Sequence, residues 1–315
     1  MNSPKVTVLM PVYNGQRYLK QAIEGILNQT YKDFEFLIID DGSTDKSKSI
    51  IRRYAKKDPR IRLISRPNKG LVATLNEGLD KASGEYIARM DCDDISLKKR
   101  LKIEVEYLDA NPDVALVGSN YTIVDEHGKR LVDTNVFTHP DDLKLCLVTC
   151  NQYGHGSVMI RKSALNKVGN YDKGVGHLED YDLWIRISHV AKVANIEEPL
   201  YQWRKTADSI TGANLELQIQ QTFARRDREF EYFLKNKKDY RIFSIHPSGY
   251  DYGRRKSVLY RDLAYLYQQK GMRWGAVKML LLAIIFKPRV KRNYYYLIAL
   301  LLRKSWLSKW QFEFQ

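Results

Sequence analysis

The strongest constraint on the fold is a rhythm in the first 110 residues. Short apolar runs at Val6–Met10, Phe34–Ile39, Ile61–Ile64 and Tyr86–Met90 alternate with amphipathic stretches at Gln16–Gln29, Lys46–Lys57, Leu71–Lys81 and Leu97–Ala110. Such short runs read as buried strands, and the longer periodic stretches read as helices. The alternation predicts an α/β fold: a mostly parallel, doubly wound sheet with helices on both faces. Ligands of such sheets sit outside the carboxyl ends of the strands. The segments that follow the four strands therefore carry the functional expectation: Pro11–Gly15, Asp40–Asp45, Arg66–Gly70 and Asp91–Asp94.

Beyond this region the pattern turns mixed. Val114–Val117 and Ser157–Arg161 read as strands, Glu126–Lys129 as a hairpin turn, and Tyr181–Val190 as a helix entered through Glu179-Asp180. The last hundred residues read helical at Ser257–Gln269, Arg273–Phe286 and Asn293–Lys304. The chain's net charge of +15 is concentrated there. From Leu215 to Gln315, 21 Lys and Arg stand against 8 Asp and Glu, whereas the preceding residues hold 31 against 29. This break predicts a boundary near Thr211 to Leu215, with one domain over residues 1–213 and a basic, amphipathic helical extension over 214–315.

Three cysteines, Cys92, Cys146 and Cys150, make no disulfide framework and fit a reducing compartment. A zinc site from Cys146, Cys150 and His155 lacks a fourth ligand. The first apolar stretch is too short for a secretory signal, and no run approaches the ~20 residues that span a bilayer. A cytoplasmic protein is expected.

Two acidic runs stand at strand ends. In Asp40-Asp41-Gly42-Ser43-Thr44-Asp45 a carboxylate can accept from a uracil imide or a ribose hydroxyl, Gly42 permits a tight turn, and Ser43 or Thr44 can cap the helix that follows. The plainer reading is a capped strand–turn–helix connection. In Asp91-Cys92-Asp93-Asp94, three carboxylates within four residues repel unless a cation or donors compensate them. Mg²⁺ or Mn²⁺ takes one or two carboxylates together with substrate phosphate oxygens. The plainer reading here is a solvated acidic turn.

Taken in order, Pro11-Val12-Tyr13-Asn14-Gly15, the Asp40–Asp45 run, Arg89-Met90-Asp91-Cys92-Asp93-Asp94 and Glu179-Asp180-Tyr181-Asp182-Leu183-Trp184 resemble the family-2 glycosyltransferases of the GT-A fold. The resemblance covers roughly Val6 to Thr211. It implies a Rossmann-like, mixed sheet flanked by helices and an inverting transfer of a sugar from a nucleotide. By that resemblance Pro11, Tyr13 and Asp41 would hold the nucleoside, Asp91 would lie near the ribose, and Asp93 would ligate Mn²⁺ or Mg²⁺. Asp180 would be the catalytic base, with Glu179 and Trp184 of the same motif as candidate donor or acceptor contacts. His155, a lone histidine between glycines in the acceptor-proximal half, is a candidate substrate contact whose plainer reading is structural, and Arg204 is a candidate source of positive charge for the phosphates. A carboxylate at the start of a helix is favoured by the helix dipole. One departure stands out: Tyr201-Gln202-Trp203-Arg204 places Gln202 and Arg204 where the family often carries Arg and His.

The resemblance implies a saccharide or lipid-linked acceptor in cell-surface glycan assembly, and Asp41, which suits uracil, points to a UDP-sugar donor. Basic and aromatic residues on the C-terminal helices fit an anionic membrane surface, on the inner face of the cell membrane. Their plainer reading is a helical appendage with solvated charges. No nucleic-acid module is recognisable, and nucleic acid is not an expected partner. A nucleotidyltransferase would need a glycine-rich phosphate loop after the first strand, which Pro11–Gly15 is not. The remaining alternative is a non-catalytic sugar-nucleotide-binding or scaffold protein.

Overall fold

The computed structural model describes residues 3–206, 215–242 and 252–301. In chain order the elements are β1 (Val6–Val12), α1 (Leu19–Leu27), β2 (Phe34–Asp41), α2 (Ser47–Ala55), β3 (Ile61–Arg66), α3 (Leu71–Lys81), β4 (Tyr86–Arg89) and β5 (Ile95–Ser96). Next come α4 (Arg100–Ala110), β6 (Val114–Val124), β7 (Arg130–Asp133), α5 (Pro140–Cys146), β8 (Met159–Arg161), α6 (Lys162–Val168), α7 (Glu179–Val190) and β9 (Lys192–Arg204). The helices α8 (Leu215–Lys235), α9 (Tyr252–Gln269), α10 (Arg273–Phe286) and α11 (Lys291–Leu301) follow.

The described strands form one sheet in the order β3-β2-β1-β4-β8-β6-β9-β5, with β7 paired to β6. The pairs β1–β2, β1–β4, β2–β3 and β6–β9 are parallel, and the pairs made by β8, β5 and β7 are antiparallel. This is the mixed, mostly parallel GT-A architecture. All seven residues of β1 are buried, as in a parallel strand covered on both faces. Val6, Val8, Met10 and Val12 join a core with Ile23 and Ile26 of α1 and Leu101 and Val105 of α4. Leu9 points the other way, against Gly78 of α3.

The sheet's order reverses at β1. Its register with β2 runs to Val12, but its register with β4 stops at Leu9. The two strands part at their carboxyl ends, and parting strands at a switch point make the crevice where α/β sheets bind ligands.

The 13-residue β9 has no counterpart in the sequence reading. Its sequence, KVANIEEPLYQWR, holds no continuous apolar run and is broken by Pro199; pairing with β6 and β5 makes it a strand. The expected cap by Ser43 or Thr44 is also not what forms. Asp45 accepts from Ser47 N at 2.9 Å instead, and the two hydroxyls turn to Asn14.

The chain divides into two compact units, one of Met1–Lys144 with Gln152–Phe223, the other of Leu145–Asn151 with Ala224–Gln315. The boundary at 213/214 expected from charge lies outside the described residues, as do positions 302–304 of the last expected helix. In the second unit Phe230, Phe233, Tyr240 and Tyr267 pack edge-to-face and stacked. Lys256 is fully buried there, with its ammonium near the rings of Tyr252, Tyr260 and Phe286.

Candidate active site

Three loops meet at the parted ends of β1 and β4. The β1 loop is laced to the β2 loop: Asn14 N donates to Ser43 Oγ at 3.0 Å, Thr44 N donates to Asn14 Oδ1 at 2.8 Å, and Gln16 N donates to Asp45 at 3.0 Å. Asn14 holds the left-handed conformation at φ 50°, which asparagine tolerates better than most residues. The ring of Tyr13, carried at the head of this loop, is 54% exposed. Pro11 is buried within β1, opposite Ile39, and shapes the strand end from inside the sheet.

The β1 loop also abuts the β4 loop, since a Cβ on Gly15 would meet Cys92 Sγ at 2.9 Å. A side chain at Gly15 would thus push the two loops apart.

In the β2 loop both acids are buried and partnered. Asp40 accepts from Ser43 N at 3.1 Å and from Ser65 Oγ at 2.7 Å. Asp41 takes Lys69 N at 2.8 Å, Gly70 N at 3.0 Å and the Arg66 guanidinium. A carboxylate offers about four lone-pair sites, so these three donors leave Asp41 about one for a ligand. Gly42 sits at φ 75°, and a Cβ there would lie 2.6 Å from Asn68 N. Only glycine lets this turn close on the 66–70 loop.

The β4 loop is built differently. Asp94 is buried and accepts from Tyr201 Oη at 2.8 Å and from Arg204 N at 2.7 Å. Asp91 pairs with Arg89. Among the described residues no other side chain bonds to or pairs with Asp93. Burial raises the pKa of Asp93, opposed by the charges of Arg89 and Arg204. Burial and then the neighbouring Asp93 raise that of Asp94.

Arg204 supports this loop from within. It is 2% exposed; its Nε donates to Asp93 O at 2.8 Å, Nη1 to Glu126 O at 3.0 Å and Nη2 to Gln21 Oε1 at 2.8 Å. The expectation that Arg204 would meet a ligand meets a different geometry, in which its guanidinium is spent on the protein and lies over the Tyr18 ring.

Glu179 and Asp180 open α7, as the sequence reading placed them. Glu179 Oε1 lies 3.9 Å from His155 Nδ1, and His155 Nε2 lies 3.0 Å from Tyr171 Oη. Burial lowers the His155 pKa well below its usual value, with Arg89 adding to the effect, so the imidazole is neutral at physiological pH. Burial raises that of Glu179. Trp184 is fully buried, with the His155 and Tyr171 rings 6.0 and 6.4 Å away. It backs those rings instead of facing solvent.

Arg89, quoted in the sequence motif without a role, joins the two halves of the site. It is 2% exposed at the end of β4, and its charge acts on Asp93 and Asp94 on one side and on Glu179, His155 and Tyr171 on the other. Asp180 acts on Tyr171 and, together with Asp94, on Tyr121. Arg100 in turn fixes the Arg89 carbonyl at 2.9 Å. The signal for Arg89 in the sequence was a cation two positions before an acidic run at a strand end. Tyr171 and Tyr201 gave none. Their partners are assigned by packing alone.

The site thus gathers the acids of the β4 loop and of the start of α7 around one buried guanidinium, with the β2 loop laced alongside through the β1 loop. Among the described residues no three His, Cys, Asp or Glu side chains are grouped as a self-sufficient metal site. The donor set suits a hard divalent ion only when a ligand's phosphate oxygens complete the coordination.

Comparison with known proteins agrees with the fold. The putative glycosyltransferase EpsE of Bacillus subtilis is 36% identical over 215 residues, which covers 66% of this chain and 76% of EpsE. The crystal structure of S. aureus TarS 1–349 in complex with UDP superposes with a TM-score of 0.59 at 16% identity, covering 96% of this chain and 93% of that one. The mannosyltransferase PcManGT from Pyrobaculum calidifontis, in complex with GDP-Man and Mn²⁺, superposes with a TM-score of 0.52 at 20% identity, covering 97% and 88%. At those identities the two structures establish the shared fold. The model of Glycosyl transferase family 2 matches residues 7–169, from β1 to the end of α6. The chain belongs to that family and is a glycosyltransferase.

Proposed function

We propose that the protein transfers a hexose or N-acetylhexosamine from a UDP-sugar to a saccharide or lipid-linked acceptor, by a single inverting displacement, in cell-surface glycan assembly at the inner face of a membrane. The observation that carries this reading is the buried Arg89, paired with Asp91 and acting on Asp93 on one side and on Glu179, the neighbour of Asp180, on the other. Support for a nucleotide donor comes from the loops at β1 and β2. The exposed Tyr13 ring is available to stack on a base, and Asp41 retains lone-pair capacity for an imide N–H. TarS has been crystallised with UDP and with UDP-GlcNAc, and PcManGT with GDP-Man and Mn²⁺.

Asp93, with Asp91 near the ribose, would hold Mn²⁺ or Mg²⁺ together with the donor diphosphate, the ion offsetting charge on the departing nucleotide. Asp180 removes the proton from the acceptor hydroxyl as its oxygen attacks the anomeric carbon, the bond to the nucleotide oxygen breaks, and configuration inverts. Glu179, its pKa raised by burial, and neutral His155 line the same side and offer hydrogen bonds to sugar hydroxyls.

The test is nucleotide release over a panel of sugar nucleotides with and without Mn²⁺. Asp180→Asn is expected to lower turnover by about 10²–10⁴-fold, the usual contribution of a positioned base, with donor affinity unchanged. No turnover of any donor by the wild-type chain across a broad acceptor set would instead favour a sugar-nucleotide-binding scaffold.

A further inference from the structure

The second unit carries an exposed apolar stripe that its own packing does not use. On α10, Trp274, Leu281 and Ile285 are 76%, 47% and 63% exposed, and Lys278 is exposed between them. Their spacing of four, three and four residues puts them on one narrow face of the helix. The opposite side, with Ala276, Met279, Leu280 and Ala283, is buried. The helix is therefore already anchored, and the outward stripe is surplus.

The next helix repeats the arrangement. On α11, Tyr294, Tyr295, Ile298 and Leu301 are 40%, 45%, 55% and 46% exposed, and Asn293, Tyr296 and Leu300 are buried. Asn293 Nδ2 donates to Ser257 Oγ at 2.8 Å and to Ala283 O at 3.2 Å, which ties α11 to α9 and α10. Both stripes thus stand on a preformed scaffold.

The charge around them has one sign. Lys278, Arg289, Lys291 and Arg292 are exposed, and between Asp262 and Glu313 the sequence holds ten Lys or Arg and no Asp or Glu. A second copy of so basic a face would repel the first, whereas an anionic surface complements it. Trp and Tyr favour the headgroup level of a bilayer, and Lys and Arg reach anionic headgroups while their stems lie along apolar surface. No helix among the described residues is long and apolar enough to cross a membrane, and α10 has 14 residues against the ~20 a span needs. A helix of this kind lies in the interface plane.

We propose that the outward faces of α10 and α11 dock on an anionic lipid bilayer, with Trp274, Leu281, Ile285 and Ile298 entering the interface and Lys278, Arg289, Lys291 and Arg292 meeting the headgroups. This rests on the membrane setting proposed above and assigns it a surface. The experiment is co-sedimentation of the full chain with vesicles of phosphatidylcholine alone and with 30% phosphatidylglycerol, at low and high salt. Binding to the anionic vesicles is expected to be at least tenfold stronger, and to weaken with salt as screening requires. Trp274→Ser/Leu281→Ser/Ile285→Ser is expected to reduce it tenfold or more, and Lys291→Gln/Arg292→Gln by about fivefold per cation, with melting temperature and UDP affinity unchanged in both.

Equal binding to the two vesicle types, or none to either, overturns the proposal. So does a dimer in light scattering that the triple serine variant dissociates, which would give this face to a second copy. Asp180→Asn should bind vesicles like the wild type. Vesicle binding without turnover of any donor would therefore sink the reaction above and leave the docking surface standing.

Discussion

The loops that end β2 and β4 flank β1 in the same sheet, and both are runs of aspartate. At β2 the acids are held by the protein's own donors, Asp40 by Ser43 and Ser65, Asp41 by Arg66 and two backbone amides, which leave Asp41 about one lone-pair site. At β4 the protein satisfies Asp94 and pairs Asp91, and it leaves Asp93 half-buried with a raised pKa. The difference separates two uses of one residue type. A carboxylate well supplied with donors organises a loop, whereas one that burial penalises more than its neighbours' charges repay is an electrostatic cost with a function to justify it.

Substitutions at the two loops should therefore act in opposite directions. The largest effect is expected for Asp41→Asn, which removes one of the two carboxylates paired with Arg66, leaving Glu77, and weakens two amide contacts. With Glu77 still in place the cost, read as a fall in the urea midpoint, should stay below about 3–5 kcal/mol, the cost for a buried pair that loses its partner outright. An unchanged midpoint would erase the contrast.

Tyr13→Ala comes next. Its ring is half in solvent and its loss should spare stability, while UDP affinity falls by about 1–3 kcal/mol, the range for base stacking on an aromatic side chain. Isothermal titration measures this, and an unaltered affinity would remove Tyr13 from the nucleoside site.

Asp93→Asn should give the smallest and most telling shift, a rise in melting temperature measured without metal or nucleotide. The sign follows from the raised pKa of Asp93. Such a group adds stability when both states are protonated, below about pH 4, and loses it as pH rises through the higher folded value. The gap between variant and wild type should open as pH rises above about 4 and level off once the folded-state carboxyl is ionised. A lower melting temperature at pH 8 would mean that Asp93 is a supplied, structural acid like Asp41.

Much of the architecture was readable in advance where the signal was local. The four parallel strands and their helices follow from short apolar runs set between amphipathic periods, and each strand's carboxyl end marks a ligand loop. Arg89 was visible as a cation before an acidic run, yet its central place was not, because that depends on β8 pairing with β4 and on Glu179, 90 positions on, coming within reach of its charge. Strand β9 escaped because a polar, Pro-broken segment becomes a strand only when β6 and β5 offer their edges. Arg204 was misjudged for the same reason: its chemistry fits a phosphate, and its actual partners are backbone carbonyls in loops far away in sequence.

By itself the sequence determined the fold class, the family and the identity of the acids, since hydrophobic period and strand-end motifs are properties of consecutive residues. Tertiary structure decided which acids are spent and which remain available. Tyr201 reaches Asp94 from 107 residues away and Arg66 reaches Asp41 from 25 away, and contacts over such separations follow from how elements pack. A side chain's burial and partners, and with them its charge, are set only when the chain closes around it.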